Sequence, residues 1–175
     1  MCSSDLSLFA GQLARAAGAR VIVTSSDDAR LERARALLGA DGINYRTTPE
    51  WGRAARALAG GRGVDHVVEV GGAGTLTESL AAVRVNGQIS VIGVLAGKSV
   101  PVDLTSILMR GVRLQGVFVG HRAHFEALVR ALEVSPLRPV IDRVADFDKL
   151  PSLLEALGTG GHRSEEHTSE LQSHS

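Results

Sequence analysis

Gly61-Arg-Gly-Val-Asp-His-Val-Val-Glu-Val-Gly-Gly-Ala-Gly74, followed at once by Thr75-Leu-Thr-Glu78, is the stretch that decides the fold. Its centre, His66-Val-Val-Glu-Val70, is a short β-branched run of strand length. The glycines behind it read as a turn, because glycine alone adopts left-handed backbone without strain. Thr75 with Glu78 three residues later has the spacing of a capping box, so a helix is expected from there to about Val83. Strand, glycine turn and helix together are the opening of a βαβ unit.

The same alternation continues outward on both sides. Downstream, Asn86-Gly87 is expected to turn the chain into a strand over residues 88–94. A short helix (104–110), a strand (112–119), a helix (124–133) and a closing helix (149–157) follow. Upstream, Leu8, Phe9, Leu13, Ala16 and Ala17 mark an apolar helical face that Gly18 stops. Arg20-Val-Ile-Val-Thr24 reads as a strand, and Leu31, Ala34, Leu37 and Leu38 read as a helix ending at Gly39. Residues 42–45 read as a brief strand, and 49–58 as a helix with Pro49 near its start. Near-continuous apolar strands separated by helices imply a doubly wound α/β fold with a parallel sheet covered on both faces. Such sheets bind ligands beyond the carboxyl ends of their strands. Function is therefore sought just after Val23, Val70, Ile92 and Val117.

Composition narrows the partners. With 44% hydrophobic residues, the 175-residue chain can bury one ordinary core. Lys+Arg and Asp+Glu are both 19, so no net field attracts nucleic acid or an anionic membrane. Cys2 is the single cysteine, which rules out an internal disulfide framework or a cysteine-rich zinc site. No apolar run approaches the roughly 20 residues a membrane helix needs. A reducing, cytoplasmic setting is compatible with all of this.

The two ends differ from the rest. Residues 163–173 turn abruptly polar and aperiodic, and they resemble one strand of a common sequencing adapter in translation. Met1-Cys-Ser-Ser-Asp-Leu6 resembles the other strand. Residues 1–6 and 163–175 are accordingly expected to be artefacts, and 7–162 to be the natural segment, a partial domain.

Laid end to end, Ser7-Leu-Phe-Ala10, Gly18-Ala-Arg-Val-Ile-Val-Thr-Ser-Ser26, Gly39-Ala-Asp41, Ile43-Asn-Tyr-Arg46, the 61–72 block and Ile89-Ser-Val-Ile-Gly-Val94 resemble the cofactor domain of medium-chain dehydrogenases. The likeness is nearest to the zinc-type alcohol dehydrogenase and quinone oxidoreductase branch. It implies a Rossmann domain of strand order 3-2-1-4-5-6 whose first, central strand and glycine-rich phosphate loop stand just before Ser7. Ser7 matches the last position of that loop.

By the same likeness, the adenosine ribose lies near Ser25, Ser26 and Arg30, and the adenine edge near Gly71 and Gly72. The nicotinamide carboxamide meets the backbone of Ile92, Gly93, Val94, Val117 and Val119. Read locally, Gly71-Gly72-Ala73-Gly74 is equally a plain turn, and the apolar residues at strand ends are equally core. An uncharged Ser25 where NAD-dependent relatives carry a carboxylate implies NADP, with NAD as the alternative. Against it, Asp27 and Asp28 share the loop, although Asp28 also reads as a helix N-cap.

The family moves a hydride between nicotinamide and an alcohol, carbonyl or enone. Its polarising groups, zinc among them, belong to a preceding domain, so no catalytic or metal-ligating residue is nominated here and the chain by itself is expected to be inactive. His66, His121 and His124 read as surface residues, and Asp65 and Glu69 as residues flanking a strand rather than an acid and base pair. The outer strand (112–119) is expected to pair with a second copy in the whole enzyme. Two other readings compete. Val67 to Gly74 imitates the strand and glycine loop of an S-adenosylmethionine methyltransferase, but the following strand ends Ile-Gly-Val without the acidic residue that would grip a ribose. A non-catalytic dinucleotide-binding protein is the other.

Overall fold

The computed structural model describes residues 5–134, 137–141 and 144–158. The expected artefactual stretches at residues 1–4 and 163–175 lie outside the described residues, whereas Asp5 and Leu6 form the first turn of a helix continuous with Ser7.

Helix α1 (Asp5–Ala16) leads into β1 (Ile22–Ser25), α2 (Asp28–Leu38) and β2 (Asp41–Asn44). Then come α3 (Trp51–Leu58), β3 (Val64–Glu69), a 3-10 turn at Gly72–Gly74, α4 (Leu76–Ala82) and β4 (Val83–Val91). The chain closes with α5 (Leu104–Leu108), β5 (Arg113–Gly116), α6 (Arg122–Val134) and α7 (Leu150–Gly158). Every strand pairing is parallel, as the apolar strands and intervening helices require.

The strands form two sheets rather than one: β1 with β2, and β3-β4-β5 in that order. No ladder joins β1 to β3. The break falls where the Rossmann order expects an additional central strand, so the order β2-β1 and β3-β4-β5 is that of the resembled fold with one position open.

Helices α3 and α4 bridge the two sheets. Ile22, Ile43, Trp51, Ala55, Val64 and Ala82 pack as one apolar cluster drawn from both. A second cluster, Val67, Leu80, Val83, Ile89 and Val112, fills the three-stranded sheet, and a third, Leu8, Leu38 and Ala40, seats α1 on α2. Arg56 and Arg110 close the C-terminus of α4. Arg56 donates to the carbonyls of Ala81 and Val83, Arg110 to those of Leu80 and Val83. Guanidinium groups there satisfy carbonyls that have no partner inside the helix and complement its dipole. Burial, and secondarily the charge of Arg56, hold the Arg110 guanidinium below its ordinary pKa.

Four local expectations are corrected. The Thr75/Glu78 capping box does not form: Thr75 makes no side-chain cap, its hydroxyl donating instead to Glu69, while the Glu78 carboxylate accepts from the Gly52 amide. Asp27, not Asp28, caps α2, accepting from the amides of Ala29 and Arg30. Asn86-Gly87 lies inside β4 rather than before it, with Asn86 at φ 55 and the pairing register slipping between Val64 and His66. Between those two pairs β4 advances five residues while β3 advances two, so three extra residues of β4, Asn86 among them, are taken up in the irregularity. Finally, β5 ends at Gly116, so Val117 and Val119 lie beyond it, and both side chains are exposed rather than core.

Candidate functional site

The carboxyl ends of β3 and β4 are organised around one carboxylate. Glu69, the last residue of β3, is 0% exposed. Its Oε1 accepts from the amides of Gly71 (2.8 Å) and Gly72 (3.0 Å) and from the Thr75 hydroxyl, and its Oε2 accepts from the Ser79 hydroxyl. Four donors surround the group, which is how a buried carboxylate is compensated without an ion pair. Sequence reasoning set Glu69 aside. The available signal was a lone acid in the apolar run Val67 to Val70, two residues before glycine amides and followed by hydroxyls at Thr75 and Ser79, one helical turn apart.

The loop after β4 lies directly against this glycine turn. The Ala73 amide donates to the Gly97 carbonyl (2.9 Å), the Leu95 amide to Val70 (3.1 Å) and the Ala96 amide to Gly71 (2.7 Å). Gly72 has φ +71, and a Cβ there would stand 2.6 Å from the Gly97 oxygen. A Cβ on Gly93 would stand 2.8 Å from the Val70 oxygen. Glycine is required at both because backbone packs on backbone. The turn is therefore more than a simple link into α4. It fuses the ends of β3 and β4 into one platform. Ile92 belongs to it through its amide, which donates to the Glu69 carbonyl, and Val94 through its carbonyl, which accepts from Gly97.

At the end of β1, Ser25 is 0% exposed and its hydroxyl accepts from the Asp27 amide (3.2 Å), while its carbonyl accepts from Tyr45. Ser26 and Arg30 are half-buried beside it. Both carboxylates of this loop are engaged: Asp27 caps α2, and Asp28 accepts from the Asn44 side-chain amide at 2.7 Å. The Arg30 amide, foremost, lowers the Asp27 carboxyl below its ordinary pKa. Thr24, one residue earlier, has a buried hydroxyl without a partner among the described residues.

Ser7 sits half-buried in the first turn of α1. Beyond β5, Val117 is tied back by its amide to the Val91 carbonyl (2.9 Å), and its side chain is 49% exposed, that of Val119 79%. The structure thus places Gly71, Gly72, Ile92, Gly93 and Val94 in one platform, with Val117 joined to it through β4. Ser25, Ser26 and Arg30 sit at the end of β1, in the other sheet, and Ser7 in α1.

The histidines lie apart from this platform. His66 is exposed and shares a 2.9 Å hydrogen bond with the Ser90 hydroxyl, and His121 stacks on His124 at 3.9 Å. Among the described residues no three His, Cys, Asp or Glu side chains gather in a way that could hold a metal ion. The donor set here does not fit zinc, so no step of chemistry in this chain is drawn through one. Among the described residues, too, no helix is long and apolar enough to cross a membrane.

Residues 6–134 match the family described as zinc-binding dehydrogenase. A zinc-type alcohol dehydrogenase-like protein of Schizosaccharomyces pombe is 41% identical over 164 residues, 91% of this chain and 47% of the relative. Among solved structures, a candidate alcohol dehydrogenase from Sinorhizobium meliloti 1021 superposes with TM-score 0.79 at 46% identity, covering 87% of this chain and 45% of that one. An NAD-dependent alcohol dehydrogenase superposes with TM-score 0.80 at 28% identity, covering 94% and 48%. The chain spans about half the length of each of these relatives.

Proposed function

Because the chain belongs to the zinc-binding dehydrogenase family, we propose that it is the cofactor-binding half of an NAD(P)-dependent oxidoreductase acting on a small alcohol, carbonyl or enone. The observation that carries this reading is the platform at the carboxyl ends of β3 and β4, in a parallel sheet that is separate from the β1-β2 sheet where the Rossmann order has one further strand between them. A strand not supplied by the described residues fills that position in the whole enzyme. When bound, nicotinamide supplies hydride transfer with the substrate. This chain's residues bind and orient it: Gly71 and Gly72 meet the adenine edge, and the backbone of Ile92, Gly93, Val94, Val117 and Val119 meets the carboxamide. Ser7 closes the phosphate loop. Substrate polarisation, by zinc or by hydrogen-bond donors, belongs to residues outside this chain, which by itself is inactive.

The cofactor is NADP rather than NAD. Ser25 brings no charge to the end of β1, and the two nearby carboxylates are occupied, Asp27 by the α2 amides and Asp28 by Asn44. Each is thus already committed as an acceptor rather than free to take hydrogen bonds from the ribose hydroxyls, while the Ser26 hydroxyl and Arg30 guanidinium are of the kind that binds a 2′-phosphate. The test is the ratio of kcat/KM for NADPH over NADH in the intact enzyme, before and after Ser25→Asp. A carboxylate there keeps an acceptor for the Asp27 amide, and because Ser25 is buried the thermal transition of the variant is compared with that of the wild type alongside the kinetics. The ratio should favour NADPH and drop by about tenfold or more, about 1.4 kcal/mol of discrimination. A wild-type preference for NADH, or an unchanged ratio in the variant, rejects the assignment.

A further inference from the structure

Glu69 is a buried carboxylate on which no step above depends, yet it accepts four hydrogen bonds. All of its partners lie in one segment: Gly71, Gly72, Thr75 and Ser79. That segment carries the two glycines assigned to the adenine edge and the helix behind them. The Gly71 and Gly72 amides turn inward onto the carboxylate, the Ala73 amide goes to Gly97 and the Thr75 amide to Gly72. These N–H groups are therefore spent inside the protein, with a negative group behind them. A glycine loop that cradles phosphate does the opposite and points its amides at the anion. The Gly71 and Gly72 carbonyls are engaged as well, by the Ala96 and Thr75 amides, so these two glycines present no amide to an anion and the turn suits an uncharged ring rather than a phosphate.

We infer that Glu69 is a positioning residue for the adenosine end of the cofactor, its carboxylate fixing the Gly71–Gly72 turn and, through the Gly71 and Val70 carbonyls, the adjoining Val94–Gly97 loop. The inference rests on the dinucleotide reading above. Glu69 touches no cofactor atom itself. It sets the shape of the surface that does. Its geometry rather than its charge is what the turn needs, and glutamine preserves that geometry: Oε1 accepts from Gly71, Gly72 and Thr75 while the amide nitrogen donates to the Ser79 hydroxyl.

The experiment compares wild type, Glu69→Gln, Glu69→Ala and Thr75→Val in the intact enzyme. It measures binding of NADPH and NADH by fluorescence, and binding of AMP and nicotinamide mononucleotide by competition. Glu69→Ala should weaken AMP and both dinucleotides by about tenfold while leaving nicotinamide mononucleotide within about twofold, since buried amides left unpaired let the turn shift. Glu69→Gln should bind all four as wild type does. Thr75→Val removes one donor from Oε1 without a cavity, and it keeps the test alive should Glu69→Ala not fold. It should weaken AMP by about threefold, a fraction of a typical hydrogen-bond contribution. Equal losses for AMP and nicotinamide mononucleotide, or no loss in either breaking variant, overturn the positioning role and leave the cofactor reading standing. A wild type that binds neither dinucleotide overturns the cofactor reading itself, and this inference with it.

Discussion

The amide of Gly52, at the start of α3, donates to the carboxylate of Glu78 in α4 at 2.8 Å. The contact brings the two helices so close that a Cβ on Gly52 would stand 2.3 Å from the Glu78 carbonyl oxygen and 2.9 Å from the Ala81 Cβ. Since α3 also packs on β2, and α4 on β3, this approach is the main seam between the two sheets. Gly52→Ala should therefore destabilise the intact enzyme by about 1–3 kcal/mol or more, because overpacking forces backbone rather than a flexible side chain to move. Urea unfolding of the two proteins reads the difference. Equal midpoints would mean that the helices part without cost.

Where sequence and structure agree and differ follows a physical pattern. Gly39 stops α2 as expected, in the left-handed conformation at φ 58, because that requirement is local. Strand positions were likewise legible to within a few residues from β-branched runs. The capping box at Thr75 was not, since Glu69 and Gly52 compete for the same two side chains from elsewhere in the fold. Glu69 shows why site reading from sequence runs out: an acid in a strand looks solvent-facing until its four donors are brought to it by the turn and by α4. The end of β5 was overread for a related reason. Val117 and Val119 have strand propensity, but the ladder with β4 ends at the pair Val91 and Gly116, and the Val117 amide reaches back to the Val91 carbonyl at the end of that strand.

Asp65 predicts a modest pH dependence. The hydrogen bond from Arg84, and after it that from Arg62, hold its carboxyl below the ordinary value of 3.8. A carboxyl whose folded-state pKa is depressed stabilises the fold above its unfolded value, and that contribution disappears as pH falls through the folded-state value. Asp65 is 57% exposed, so solvent screening limits the effect to about 1 kcal/mol or less. Asp65→Asn should lower the urea midpoint at about pH 7, and the gap should close progressively below about pH 4. A gap independent of pH would assign the loss to something other than this ion pair.

The far edge of the three-stranded sheet predicts self-association. Among the described residues β5 pairs with β4 only, and beyond it Val117, Phe118 and Val119 leave apolar side chains exposed, Phe118 at 91%. An open apolar strand edge invites pairing with a second copy about a two-fold axis. The intact enzyme should sediment as at least a dimer, and Phe118→Glu should shift it towards monomer with its fold retained. A wild-type monomer at micromolar concentration rejects the edge as an interface.

The chain by itself predicts a loss of cooperativity. β1 and β3 are each end strands of separate sheets, so backbone groups that a central strand would pair face the break instead. The partnerless hydroxyl of Thr24 lies in the same strand β1. Each buried group left unpaired costs about 1–3 kcal/mol, against a net stability of about 5–15 kcal/mol for an ordinary domain, so a few suffice to remove the margin. The rest of the chain offers little compensation, because β5 and most of α6 are exposed and the largest apolar cluster draws on β3, α4 and β4. Purified residues 7–162 should therefore unfold over a broad range of temperature without a sharp calorimetric transition. Adding the preceding strand as part of the intact enzyme should restore one. A single sharp transition from the isolated segment, with native-like near-ultraviolet dichroism, would show that the two sheets hold together without a strand between them, and the central-strand proposal would lose its main energetic argument.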